Sequence, residues 1–221
     1  MYHGLIIDGK NTFDEFGLIP TSRPVINPPE PRLSYVEVPG RSGNIDISEV
    51  LTGSIAYENR TGSFEFLVSD KKYWTDTYSK LLSFLQGIRA QVILEDEPEF
   101  YYEGRLYLSE WKSSKNHSNI VIEYDLAPFK YEVTSSNAGY QKIEKLLTGG
   151  SQTVSVDTNE KILEGTVTCA GLTSSGLKAT FGNMSMTLVE GINILPNVYA
   201  GQSLRISGYG TIDWNYRKGR L

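Results

Sequence analysis

Chemistry-bearing side chains are scarce among these 221 residues: there is one cysteine, and there are two histidines and three methionines. Cys169 has no second cysteine with which to close an intrachain disulfide, which fits synthesis in a reducing cytoplasm. A chain of this length buries roughly 70% of its extended surface on folding, so it needs no such staple. No apolar run approaches the length that spans a bilayer. Met1-Tyr2-His3-Gly4 leads straight into strand-like residues, without the pattern of a secretory leader, so the sequons at Asn59, Asn116 and Asn183 read as chance matches. Basic charge is in deficit too. Lys+Arg 21 against Asp+Glu 26 leaves a net charge of -5, and such a field repels nucleic acid rather than gathering it.

These shortages leave little for catalysis. A nucleophile needs a base in reach, and the sole imidazoles are His3 and His117, the latter in Lys115-Asn116-His117-Ser118-Asn119, which reads as a solvated hairpin tip. Cys169 ends a strand-like run, Val167-Thr168-Cys169, and reads as a small buried thiol. Two histidines and one cysteine so far apart show no metal-ligand spacing. Carboxylates are dense only at Glu95-Asp96-Glu97-Pro98-Glu99, where hydration of a loop is the expected state and divalent-ion binding the minor reading. Asp8-Gly9-Lys10-Asn11-Thr12 opens like a calcium loop but lacks the bidentate glutamate that must follow. Pro39-Gly40-Arg41-Ser42-Gly43 lacks the Gly-Lys-Ser/Thr ending of a phosphate cradle. The expectation is a protein that is not an enzyme and carries no cofactor and no metal.

What the chain does have is strand material and tyrosine, with Tyr 14 beside Phe 8 and Trp 3. Tyrosine suits both strands and interfaces. Leu5-Ile6-Ile7 runs into an Asp-Gly turn signal, and a second strand is expected over residues 16–19. Three prolines in Ile26-Asn27-Pro28-Pro29-Glu30-Pro31 make an extended connector. Residues 36–47 alternate on both sides of a Pro-Gly turn that carries an outward Arg41. Phe64, Phe66 and Val68 share one strand face, and residues 91–94 and 100–109 bracket the acidic turn as a hairpin, with Trp111-Lys112 beginning another strand. Ile120, Ile122, Tyr124 and Leu126 mark a strand with one buried face. The clearest helix has Ser69 or Asp70 as N-cap, Trp74, Tyr78, Leu81, Leu82 and Leu85 as its apolar stripe, and Gly87 as its stop.

Around Thr134-Ser135-Ser136-Asn137-Ala138-Gly139 the composition turns small and polar, which predicts domains over residues 1–133 and 134–221. Beyond it lie short strand-like runs at 153–156, 163–168, 177–181, 184–189, 203–207 and 211–214, spaced by turns. The expected class is mainly β with one amphipathic helix: a sandwich-like N-terminal domain with helix and hairpin, then a C-terminal β-sandwich or jelly-roll-like module. On such a sandwich Tyr209, Trp214 and Tyr216 offer a sugar-stacking surface, and a module that recognises a host cell wall is the alternative function.

Several segments, in order, resemble siphophage distal tail proteins: Gly17-Leu18-Ile19, residues 26–31, Tyr35 through Gly43, Leu51-Thr52-Gly53, Tyr57 through Phe66, Tyr102-Glu103-Gly104-Arg105-Leu106 and Tyr124 through Lys130. The ending Ile212 through Leu221 is similar as well, so the resemblance covers residues 1–133 and the C-terminus. It implies a phage or prophage tail-tip protein, located in the virion and made in the host bacterial cytoplasm, that forms a ring of six with its N-terminal domain and projects a C-terminal galectin-like β-sandwich outward. Implied partners are further copies of itself, the major tail protein, a tail-associated tip protein and, in many phages, a receptor-binding protein. Specific nucleic acid and membrane are not among them. The forked guanidinium groups of Arg41, Arg60 and Arg105 suit the two different patches that a closed ring demands of each subunit.

Overall fold

A computed structural model describes residues 3–50, 53–68, 74–113, 118–133, 140–157, 159, 162–172 and 176–221. The Ser69 or Asp70 cap, His117, Leu51-Thr52 and the small polar stretch 134–139 lie outside the described residues. The chain divides into two compact units, one of Met1–Pro31, Tyr57–Val133 and Leu221, the other of Arg32–Ala56 and Thr134–Arg220. Residues 32–56, expected in the first domain, thus group with the second unit.

The first unit starts as a hairpin. β1 (Leu5–Ile7) and β2 (Lys10–Asn11) pair around Asp8 and Gly9, both at positive φ, as an Asp-Gly turn requires. A strand does not follow at residue 16. The Asn11 side chain accepts from the backbone N–H groups of Phe13 and Asp14 and nucleates α1 (Thr12–Phe16), which Gly17 closes in the left-handed conformation. β3 (Leu18–Pro20) comes next, and β6 (Arg60–Val68), β7 (Arg89–Leu94), β8 (Phe100–Ser113) and β9 (Ser118–Leu126) complete an antiparallel sheet in the order β2-β1-β7-β8-β9-β6-β3. Trp111-Lys112 opens no new strand: β8 absorbs an irregularity between Leu108 and Glu110 and runs on through them. A short β10 (Lys130–Glu132) pairs with the start of β8.

α2 (Trp74–Leu85) packs on this sheet with Leu81 and Leu85 fully buried, while Leu82, expected on the same stripe, stays exposed. Its aromatics anchor it. Tyr78 lies 4.2 Å from Trp111 and Phe84 stacks on Phe16 at 5.4 Å, measured between ring centroids. Gly87 ends the helix region at φ 73. Phe64, Phe66, Val68, Ile120, Ile122, Tyr124 and Leu126 are buried as their alternation predicts.

The second unit is a β-sandwich built on two long bent strands, β11 (Gln141–Asp157) and β16 (Ser203–Arg220). The N-terminal half of β16 pairs with β13 (Leu177–Phe181), itself paired with β14 (Met184–Leu188). Its C-terminal half pairs with β12 (Ile162–Ala170), which pairs with β15 (Gly191–Val198). β11 follows β16 through both halves, with a register shift between Gly149 and Thr153 opposite Gly208. There β16 turns from one sheet into the other. Gly208 sits at φ 123, and a Cβ on it would fall on the Gly176 carbonyl oxygen. The runs expected at 203–207 and 211–214 are one strand, interrupted in pattern by Gly208 and Gly210, and β15 is a strand that was not expected. Between the sheets lie Leu147, Val167, Cys169, Ala179, Leu195, Ile206, Ile212 and Trp214.

Candidate protein-interaction surfaces

Three of the four carboxylates of the acidic turn, which was expected to be solvated, have partners within the chain. Glu95 accepts from the Gly4 backbone N–H at 2.6 Å and from Asn11 Nδ2 at 2.5 Å, and Lys130 pairs with Glu97. Asp96 takes His3 Nδ1 at 2.6 Å and Arg23 Nε at 2.7 Å, and the hydrogen bond from His3, then Arg23, holds its carboxyl below the usual range. The turn is therefore a clamp on the N-terminal hairpin, because in-chain donors satisfy the charges that a free loop would leave to water or a cation.

Arg60 is buried, not presented. Its Nε donates to the Pro128 carbonyl and its Nη1 to the Asn27 carbonyl, both at 2.9 Å, and its guanidinium lies over the Tyr102 ring. Burial pulls its pKa below the ordinary value, with Tyr102, Tyr124 and Glu97 pulling the other way. The same burial pushes the Tyr102 phenol up to about 12, helped by Glu97. An unfolded phenol titrates near ~10. The stability tied to this protonated phenol is therefore complete below pH ~10 and is lost as pH rises through ~12. A spectrophotometric titration is expected to show a late phase of tyrosine ionisation, and Tyr102→Phe is expected to reduce the amplitude of that phase by one phenol.

Of the other two arginines, Arg105 is exposed and donates from Nη1 to the Gly87 carbonyl at 2.6 Å, while the side chain of Arg41 is exposed in its turn. The sugar-stacking group separates. Trp214 is fully buried and Tyr216 nearly so, its hydroxyl donating to Gln141 Oε1 at 2.9 Å, and only Tyr209 is exposed. Alternation along β16 sends Ile212, Trp214 and Tyr216 to the inner face, so an aromatic surface formed by the three does not exist. Cys169 is buried, and desolvation followed by the Glu190 charge raises its thiol pKa, which disfavours the thiolate a nucleophile needs.

One surface that carries exposed apolar side chains is the excursion 32–56. Its neck is closed by an antiparallel bridge between Pro31 and Tyr57, flanked by the Arg32 N–H on the Ala56 carbonyl and the Glu58 N–H on the Glu30 carbonyl, both 2.8 Å. Beyond the neck, β4 (Tyr35–Val36) pairs with β5 (Ile45–Asp46) across a turn whose Gly40 and Gly43 take positive φ. Ser48 ties the base, donating from its N–H and hydroxyl to Asp46 and accepting the Ser34 N–H at 2.8 Å. So the arm has a defined backbone but, among its described residues, no buried apolar side chain. Leu33, Tyr35, Val36 and Val50 are all exposed, Val50 at 72%. Sequence alternation placed the hairpin but could not tell that neither face is buried. The proline run before it was the available signal, since donor-poor extended backbone cannot join a sheet interior.

No protein-family model matches the sequence, and no curated protein matches it. Among solved structures, one aligns over 99% of this chain and 99% of its own length, at 12% identity and a TM-score of 0.56. It is the SPP1 Dit (gp 19.1) protein, described as a paradigm of the hub adsorption apparatus in phages that infect Gram-positive bacteria. This chain has the Dit fold. The match runs over both units, so the likeness extends to the mainly β architecture as a whole. At 12% identity the likeness is one of fold, and side-chain chemistry has to be read from this chain itself.

Proposed function

We propose that this protein is a structural component of a phage or prophage tail tip, forming a ring that joins the tail tube to the tip or baseplate. The supporting observation is the end-to-end Dit fold combined with an arm that carries exposed apolar residues on an ordered hairpin. A ring requires two different patches on each subunit, and an arm reaching to a neighbour supplies one of them without demanding two-fold symmetry. Tyr35, Val36 and Leu33 are the residues for which a neighbouring subunit provides the missing core. Arg41 at the hairpin turn and Arg105 on the sheet remain available for carboxylates of that neighbour; Arg60 does not, because its donors are used within the fold. The partners beyond the ring are the major tail protein, a tail-associated tip protein and a receptor-binding protein, and the site of action is the virion tail tip. A net charge of -5 suits a tube end through which DNA passes without sticking.

Light scattering and negative-stain images of the purified chain test this reading, with a six-membered ring as the expected particle. Tyr35→Glu combined with Val36→Glu is expected to abolish the ring while leaving the melting temperature within a few degrees of wild type, because neither side chain is buried in a core. A wild-type chain that stays monomeric at high concentration, alone and with its tail-tube partner, overturns the ring. No observation favours the cell-wall-binding alternative, since its stacking residues Trp214 and Tyr216 are inside the sandwich.

A further inference from the structure

β15 is an edge left open. It pairs with β12 on one side and, among the described residues, with no strand on the other. Edge strands are normally blunted by charge, bulges or a covering segment. Residues 191–198 carry no charge at all, and the one blunting residue, Pro196, stands near the end of the strand. The inward side chains Asn193, Leu195 and Val198 are buried, whereas Ile192 and Ile194 point out of the sandwich with 74% and 78% of their surface exposed. No other large apolar side chain among the described residues is as exposed. Val189, just before the strand, adds a third.

The edge is also tied at its start by side-chain hydrogen bonds. Asn193 Nδ2 donates to the carbonyls of Val189 at 2.8 Å and Gly191 at 3.1 Å, and its Oδ1 accepts the Val189 N–H at 2.9 Å, which fixes the turn into β15. A strand held in its paired conformation loses little freedom when a partner strand arrives.

We propose that β15 pairs antiparallel with β15 of a second copy of this chain, across a two-fold axis at Asn193. The reason lies in the sequence of the edge. Ile192-Asn193-Ile194 reads the same in both directions, so an antiparallel two-fold at Asn193 sets Ile192 of each copy opposite Ile194 of the other. Two isoleucine pairs then cover each other on the outer face while both asparagines keep their internal bonds. Gly191 faces Leu195 in this register, and Pro196 falls opposite Glu190, where the paired stretch ends, so its missing N–H costs no ladder bond. Glu190 itself stays occupied by the backbone N–H groups of Gly171 and Leu172. Because the edge is uncharged, two chains of net charge -5 can meet here without opposing like charges. The contact is isologous and separate from the head-to-tail contact of a ring, so it does not rest on the ring proposal.

Mixing two full-length single variants, Ile192→Cys and Ile194→Cys, under mild oxidation tests the register. Residues directly opposite lie about 5 Å apart, within disulfide reach, whereas the same position on two copies is a diagonal neighbour about 7–8 Å away. The mixture is expected to give a covalent dimer on a non-reducing gel and each variant alone none, the native Cys169 being buried. In sedimentation velocity, Ile192→Lys with Ile194→Lys is expected to halve the mass of the largest species. Loss of the ring in the arm variant is expected to leave the mixed cross-link intact, which separates a failure here from a failure of the ring. Equal cross-linking of mixture and single variants overturns the register, and an unchanged mass with no cross-link overturns the contact. A halved mass without a cross-link also overturns it, since the edge would then meet a different segment.

Discussion

Replacing Trp214 by alanine is expected to lower the stability of the second unit by about 3–5 kcal/mol, the cost of deleting a large aromatic from a packed core. Its ring is wholly buried between the two sheets, 5.1 Å from Tyr216, on a stretch of β16 that pairs with both β11 at Ile143 and β12 at Val167. A cavity there removes contacts from both sheets at once. The indole also carries a burden, since its Nε1–H is buried with no hydrogen-bond partner among the described residues. Such an unpaired donor costs about 1–3 kcal/mol. Trp214→Phe, which removes the donor and keeps an aromatic ring, is therefore expected to lose far less than the alanine variant. Chemical unfolding followed by far-ultraviolet circular dichroism measures both. A Trp214→Ala protein as stable as wild type but altered in glycan-array binding would restore the sugar-stacking reading.

Truncating Arg60 is the second large effect. Two part-buried hydrogen bonds, to the carbonyls of Asn27 and Pro128, come from this one side chain, and hydrogen bonds to a charged group contribute about 1.5–3 kcal/mol each. Arg60→Met is thus expected to destabilise the first unit by about 3 kcal/mol or more, with Arg60→Lys only partly restoring it because an ammonium cannot present two donors in a fixed fork. The expected consequence for assembly is the reverse of what an interface arginine would give. Arg60 variants should melt earlier yet still form rings at temperatures where they are folded, whereas Arg41→Ala and Arg105→Ala should leave melting unchanged. Differential scanning calorimetry beside light scattering separates the two behaviours, and an Arg60 variant of native stability that fails to assemble would return this residue to the interface.

The relation between sequence and structure differs from element to element for physical reasons. Period-two alternation in residues 60–68 and 118–126 places Phe64, Phe66, Ile120 and Ile122 in the core because the strand geometry forces successive side chains to opposite faces. The stripe of α2 locates Leu81 and Leu85 but overreaches at Leu82, since the width of the buried face depends on what the helix packs against. α1 escapes notice because five residues are too few to show a period, and only the Asn11 cap marks it. β15 escapes too: its isoleucines alternate with an asparagine and its run contains a proline, a pattern that belongs to edge strands and reads as a loop.

The sequence by itself determined the shortage of catalytic groups, the mainly β class, the amphipathic helix and the positions of the turns. Each depends on residue type and local spacing, which no tertiary contact has to supply. Only the tertiary structure decided which arginine is buried and which are presented, that the aromatics of β16 face inward, that the acidic turn clamps the N-terminus, and that the described residues of 32–56 bury no apolar side chain. Those properties belong to pairs of segments distant along the chain, such as Arg60 with Asn27 and Pro128, or Asp96 with His3. Burial and partnership arise only when such segments meet, so residue type alone cannot show whether a guanidinium or an indole is turned toward the core or toward another molecule.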